Sequence, residues 1–120
     1  MKSLVDITIE HDHILFQQTK YYITNSFKQT INNIEHLVLV IEEESYFYFV
    51  NNLLRREDDL PAIIWGDGSK IWAVNGQIHR NKPLPSIIWS FEKNEYYWEN
   101  TPKTKENIEQ IFLKKNIEKF

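Results

Sequence analysis

Apolar residues in this chain come in short runs broken every few positions by turn-forming residues, and two of the runs are nearly identical. Leu60-Pro61-Ala62-Ile63-Ile64-Trp65 returns 24 residues later as Leu84-Pro85-Ser86-Ile87-Ile88-Trp89. The same step back from Val74-Asn75-Gly76-Gln77-Ile78-His79-Arg80 reaches Val50-Asn51-Asn52-Leu53-Leu54-Arg55-Arg56. Self-similarity at one period marks a stacked supersecondary unit. Within a unit, Ala62 to Trp65 reads as a buried strand, bounded by proline and by Gly66-Asp67-Gly68, whose glycines supply the positive φ of a tight turn. Lys70 to Val74 is the return strand, and Asn75-Gly76 is the next turn signal.

The same grammar extends outward. His13 to Phe16 and Lys20 to Thr24 flank Gln17-Gln18-Thr19, with a turn expected at Asn25-Ser26. Leu37 to Ile41 and Tyr46 to Val50 flank an acidic turn, and Ser86 to Trp89 pairs with Glu95 to Trp98 as a degenerate last copy. A leading strand, Val5 to Ile9, alternates apolar and polar residues. After Pro102 the pattern changes. Ile108, Ile111, Phe112 and Ile117 share a helical face, acidic residues come early and lysines late (Lys114, Lys115, Lys119), and Thr101 or Thr104 can cap the start. The predicted fold is mainly β: one domain, an antiparallel meander of about four tandem β-hairpin repeats over 1–101, closed by a C-terminal α-helix over 102–120 that packs on the sheet.

Composition narrows the function classes. The 120 residues are 42% hydrophobic, 26% charged and 14% aromatic, with a formal charge of −3. That balance offers no basic field for a phosphate backbone, so direct nucleic-acid binding is not expected. No cysteine is present, which excludes disulfides and thiolate metal sites and fits a cytoplasmic location. The first residues lack the apolar core of a secretory signal, and the longest apolar run, Leu37 to Ile41, is far shorter than a membrane span. The abundance of Ile, Asn and Lys suggests an AT-rich source genome.

The string Leu60-Pro61-Ala62-Ile63-Ile64-Trp65-x-Asp67-Gly68-Ser69-Lys70-x-Trp72-x-x-Asn75-Gly76-x-x-His79-Arg80 resembles the short MORN-like hairpin repeats of bacterial, phage and giant-virus proteins. The resemblance covers residues 50–100 well and 11–49 loosely, and it is absent from the helix. It implies an elongated or curled antiparallel sheet serving as a scaffold or binding surface, with no catalytic residues to carry over. With three glycines the chain departs from the glycine-rich pattern, which implies a less regular sheet.

Several clusters carry candidate chemistry. His11 and His13 share one face of a strand and, with His36 or Glu10, could hold a metal ion. Against this stands a polar, turn-flanking role, and no metal or cofactor is assigned. Arg55-Arg56 and His79-Arg80 occupy equivalent places, spaced to grip carboxylates or phosphates, or simply to answer the acidic turns Glu57-Asp58-Asp59 and Asp67. Glu42-Glu43-Glu44 and Glu57-Asp58-Asp59 can imitate a phosphate track or act as solvated turns that discourage edge pairing. No glycine-rich phosphate loop, nucleophile elbow or zinc-binding helix motif occurs.

Strands such as Tyr46-Phe47-Tyr48-Phe49 and Tyr96-Tyr97-Trp98 are apolar on both faces, and one helix covers only part of one face. Either the sheet curls on itself or an apolar face awaits a partner. The expected function is non-enzymatic protein binding through Trp72, Tyr97, Trp98, Arg55, Arg56, His79 and Arg80. Truncating Trp72 or Tyr97 is then expected to weaken capture without unfolding. A sharper version is a phage or mobile-element inhibitor of a host defence enzyme, acting in the host cytoplasm. Competing readings are a small-molecule or metal-binding protein centred on His11 and His13, and a homodimer through the aromatic sheet face.

Overall fold

The computed structural model describes residues 4–118, and those residues form a curled antiparallel sheet with one C-terminal helix. Strands β1 (Ile7–Ile9), β2 (His13–Phe16), β3 (Thr19–Ile31), β4 (Ile34–Ile41) and β5 (Ser45–Val50) pair in chain order. The order continues through β7 (Ile63–Ile64), β8 (Lys70–Ile71) and β11 (Ile87–Ile88), with β6 (Leu53–Leu54) also paired to β5. Two further pairs stand apart: β9 (Ala73–Val74) with β10 (Gln77–Ile78), and β12 (Tyr96–Trp98) with β13 (Thr101–Lys103). Helix α1 (Lys105–Glu118) ends the described chain.

Pairings 24 residues apart have the same register. Phe47 opposes Ile63 as Ile71 opposes Ile87, and Tyr46 opposes Ile64 as Lys70 opposes Ile88. Ile63 opposes Ile71, and Ile87 bridges Glu95. The amide of Tyr48 donates to the Ala62 carbonyl at 2.8 Å, and that of Trp72 to Ser86 at 2.8 Å. Gly76 donates to Leu54 at 3.0 Å, and Asn100 to Ile78 at 2.8 Å. The turns Asn51-Asn52, Asn75-Gly76 and Glu99-Asn100 each have positive φ at both positions, the geometry that matches the twist of a two-residue hairpin.

Several expected boundaries move. Asn25-Ser26 is no turn: β3 runs through it, with a register shift between Ile23 and Asn25, and the chain turns at Asn32-Asn33. The Asn32-Asn33 pair tolerates the left-handed backbone, whereas the bulge merely bends the strand. The return strand 70–74 splits at Trp72, giving Lys70–Ile71 to the main sheet and Ala73–Val74 to the next hairpin. Of 95–98, only Glu95 pairs back with Ile87, and Tyr96–Trp98 turns instead onto Thr101–Lys103. The helix therefore starts at Lys105 rather than 102. Thr104 caps it, its hydroxyl accepting the Asn107 amide at 3.0 Å while Asn107 accepts the Thr104 amide at 3.4 Å, a reciprocal cap. Ile108 is buried, Ile111 and Phe112 are half-buried, and α1 packs on β12. Ile117 falls beyond the described side chains, and Lys119 lies outside the described residues.

The core lies inside the curl. Ile14 and Phe16 of the N-terminal strands fold over Leu39, Ile41, Phe47, Phe49, Leu54, Ile63, Ile71 and Ile87. Each such side chain contributes about 1.5–3 kcal/mol by leaving water. The bulge bends β3, so its first half follows β2 away from β4. The amide of Val5 reaches the Gly76 carbonyl at 2.7 Å, tying the segment before β1 to the turn between β9 and β10.

Candidate binding cleft

The residues nominated by the repeat turn largely inward. The Arg56 guanidinium lies 3.9 Å above the Tyr48 ring and donates to the Pro61 carbonyl at 3.3 Å. One period on, Arg80 lies 3.9 Å above Trp72 and donates to the Pro85 carbonyl at 3.0 Å. Arg80 also grips Asp59 with two bonds of 3.1 Å, and the Trp72 indole donates to the Asp59 carbonyl at 2.9 Å. Burial holds the Arg56 guanidinium below its ordinary value. Each arginine is thus a latch that stacks on an aromatic ring of its own unit and ties the following loop. Arg55 ion-pairs with Glu57 and reaches the Asn75 side chain at 3.3 Å.

His79 is buried. Its Nδ1 accepts the Glu99 amide at 3.0 Å, and its Nε2 bonds to Asn81 at 2.6 Å. Its ring stands edge-on to Trp98 at 4.3 Å, and Trp98 also meets Phe112 and Lys115 of α1. Trp72 is 8% exposed, so its truncation acts on the fold, contrary to the expectation that it leaves folding intact. Tyr97 alone of the nominated residues lies elsewhere.

The histidine cluster does not assemble. His36 is fully buried, with Nδ1 donating to the Ile34 carbonyl at 2.9 Å and Nε2 accepting the Glu57 amide at 3.2 Å. Both of its ring nitrogens are thereby occupied by backbone. His13 bonds to Asp12 at 2.6 Å, and that hydrogen bond leads the effects holding the Asp12 carboxyl below its ordinary value. Among the described residues no group of three metal-ligating side chains is placed to hold an ion. The acidic loops also part company. Glu57 and Asp59 are ion-paired, while Glu42, Glu43 and Glu44 stay exposed on a 3-10 turn.

The curl creates a cleft that the sequence did not announce. Tyr21, Trp65 and Trp89 separate two lobes of about 290 and 520 Å³. The smaller lobe is floored by Ile71, Ile78 and Ile87 and carries Glu95 and Tyr97; the larger is edged by Glu43 and Asp67. Trp65 is set by packing edge-on to Phe47 at 5.4 Å and tilted against Phe16 and Tyr21. Gly66 follows because a Cβ there would collide with the Glu43 carbonyl. The Glu95 carboxylate accepts the Trp89 indole N–H, and burial first, then the nearby Glu95 charge, raises the Tyr97 phenol. Asp67 accepts the Ser69 amide at 2.8 Å and the Ser90 hydroxyl at 3.0 Å; these bonds, led by the backbone one, hold its carboxyl below the ordinary range.

Among the described residues no lysine or arginine lines either lobe. An apolar floor, aromatic walls and fixed carboxylates are the features of a recognition site. Comparison with protein-family models, with curated proteins and with solved structures finds no match. Among the described residues no helix is long and apolar enough to cross a membrane.

Proposed function

We propose that this chain is a non-enzymatic protein-binding module, built from tandem hairpin units similar to MORN-like repeats, that engages its partner through the aromatic cleft. One observation carries the reading. Tyr21, Trp65 and Trp89 form half-buried aromatic walls around fixed carboxylates on a sheet held rigid by its own arginine latches. Aromatic side chains are favoured where binding energy concentrates, because they offer much apolar area for little conformational entropy. Exposed Phe91 packs tilted against Trp89 at 5.6 Å and extends apolar surface beyond the cleft.

The acidic rim favours a partner with a basic surface. Glu43 and Asp67 border the larger lobe, and Glu42 and Glu44 flank Glu43 on the same turn. A host nuclease or other defence enzyme with a basic groove is the sharper form of this reading, with the chain acting by surface occlusion. Affinity capture with mass spectrometry tests both. The wild-type chain is expected to retain a stoichiometric protein that Trp89→Ala loses while remaining folded by circular dichroism. Equal capture by the two chains, or none from any plausible host lysate, overturns the reading.

A further inference from the structure

The cleft holds an indole and a carboxylate side by side, and elsewhere the chain sets its own arginine between two such groups. Trp72, whose indole N–H donates to the Asp59 backbone carbonyl, is covered by Arg80 at 3.9 Å, and Arg80 bonds the Asp59 carboxylate twice at 3.1 Å. Beside Tyr48, Arg56 takes the stacked place. In the cleft the Trp89 indole N–H bonds the Glu95 carboxylate itself, and Tyr97 lines the same lobe. Among the described residues no cation pairs with Glu95, Glu43 or Asp67, and none lines the cleft.

We infer that the cleft receives an arginine side chain presented by the protein partner, an inference that rests on the protein-binding reading. A guanidinium suits the site for three reasons. It stacks on indole and phenol faces, its fork matches a carboxylate, and it sheds water more readily than an ammonium group. A half-buried carboxylate that accepts one indole N–H retains lone pairs for such a fork.

The test is a titration of the full chain with N-acetyl-arginine amide, following the four tryptophan indole N–H resonances at constant ionic strength. Saturable shifts of Trp65 and Trp89, with Trp72 and Trp98 unmoved, are expected, at roughly millimolar affinity for so small a probe. N-acetyl-citrulline amide is expected to give none. Glu95→Gln, which keeps an acceptor for the Trp89 indole, is expected to weaken binding about tenfold; its Trp72 and Trp98 resonances report that the fold is retained. Absence of a saturable shift overturns the arginine site, as does an N-acetyl-lysine amide that binds equally well or an affinity indifferent to Glu95→Gln. The protein-binding reading is judged separately by the capture experiment, since a partner lost on Trp89→Ala while the arginine probe fails would leave the cleft an interface for a different side chain.

Discussion

Arg56 and Arg80 show how a surface residue type becomes an internal strut. Each sits over an aromatic ring and donates to a proline carbonyl five residues on, so each closes the loop that follows it. The Arg80 side chain is 10% exposed and faces the Asp59 carboxylate, itself 22% exposed. Arg80→Ala leaves that carboxylate with Lys82 alone. It is expected to cost about 2–3 kcal/mol, read as a lower urea midpoint at unchanged slope. Lys82→Ala, at a side chain 57% exposed, is expected to change stability by less than about 0.5 kcal/mol.

Asp67 adds a pH dependence at the same scale. Its carboxyl is held below its ordinary value of 3.8 by the Ser69 amide first, then by serine hydroxyls. A group depressed in the folded state adds stability above its unfolded pKa and loses it as pH falls through the folded value. The urea midpoint is therefore expected to fall more steeply below pH 3.8 in the wild type than in Asp67→Asn. Identical acid profiles would show that the Ser69 and Ser90 bonds contribute nothing. The equivalence of Arg55-Arg56 and His79-Arg80 was legible in the sequence, because the period places them together. Which way they face was not: inward stacking needs a ring and a carbonyl fixed by neighbouring strands.

Turns govern the elements. The chain reverses at Gln17-Gln18, Asn32-Asn33, Asn51-Asn52, Asn75-Gly76 and Glu99-Asn100, all with positive φ at both residues. Asn-Gly and Asn-Asn announce this geometry, since asparagine and glycine tolerate the left-handed region. Gln17-Gln18 was readable only as a gap between apolar runs. Glu99-Asn100 was hidden by Pro102, which suggested a helix start and masked β13. The strand break at Trp72 has no local signal either. It follows from Trp72 donating to Ser86 while its indole reaches Asp59, contacts made between units.

Two substitutions test the element account. Gly66→Ala forces a methyl into the Glu43 carbonyl, so the turn or the 3-10 segment must move. It is expected to cost more than Gly68→Ala, which meets open space at φ 94° and carries only a backbone penalty of about 1–2 kcal/mol. Thr104→Ala removes the helix cap and is expected to cost about 1 kcal/mol, read as a lower thermal midpoint together with loss of helical circular dichroism.

At the scale of the whole molecule, the curl decides what remains available. A mainly antiparallel β chain with a terminal helix could be read from apolar runs and turn residues alone, because those signals are local. The cleft could not. Tyr21 comes from the N-terminal strands, Trp65 and Trp89 from successive units, and Glu95 from the last strand pairing. They meet where the curl brings the first half of β3, paired with β2, against the later strands. Recurrence of tryptophan at 65 and 89 was visible in the sequence, yet it read as strand core. Trp72, favoured as a contact residue, is the buried ring, while Trp65 and Trp89 keep partial exposure.

Hydroxyl-radical footprinting of the free chain and of its captured complex tests most directly whether latches hold the fold while the cleft engages the partner. In the free chain Tyr22 and Phe91 are expected to oxidise fastest, Trp65 and Trp89 at intermediate rates, and Trp72 and Tyr48 slowest. In the complex Tyr21, Trp65, Trp89 and Tyr97 are expected to become protected, with Trp72 and Tyr48 unchanged. Rapid oxidation of Trp72 in the free chain, or protection on binding that spares the cleft, would contradict the account.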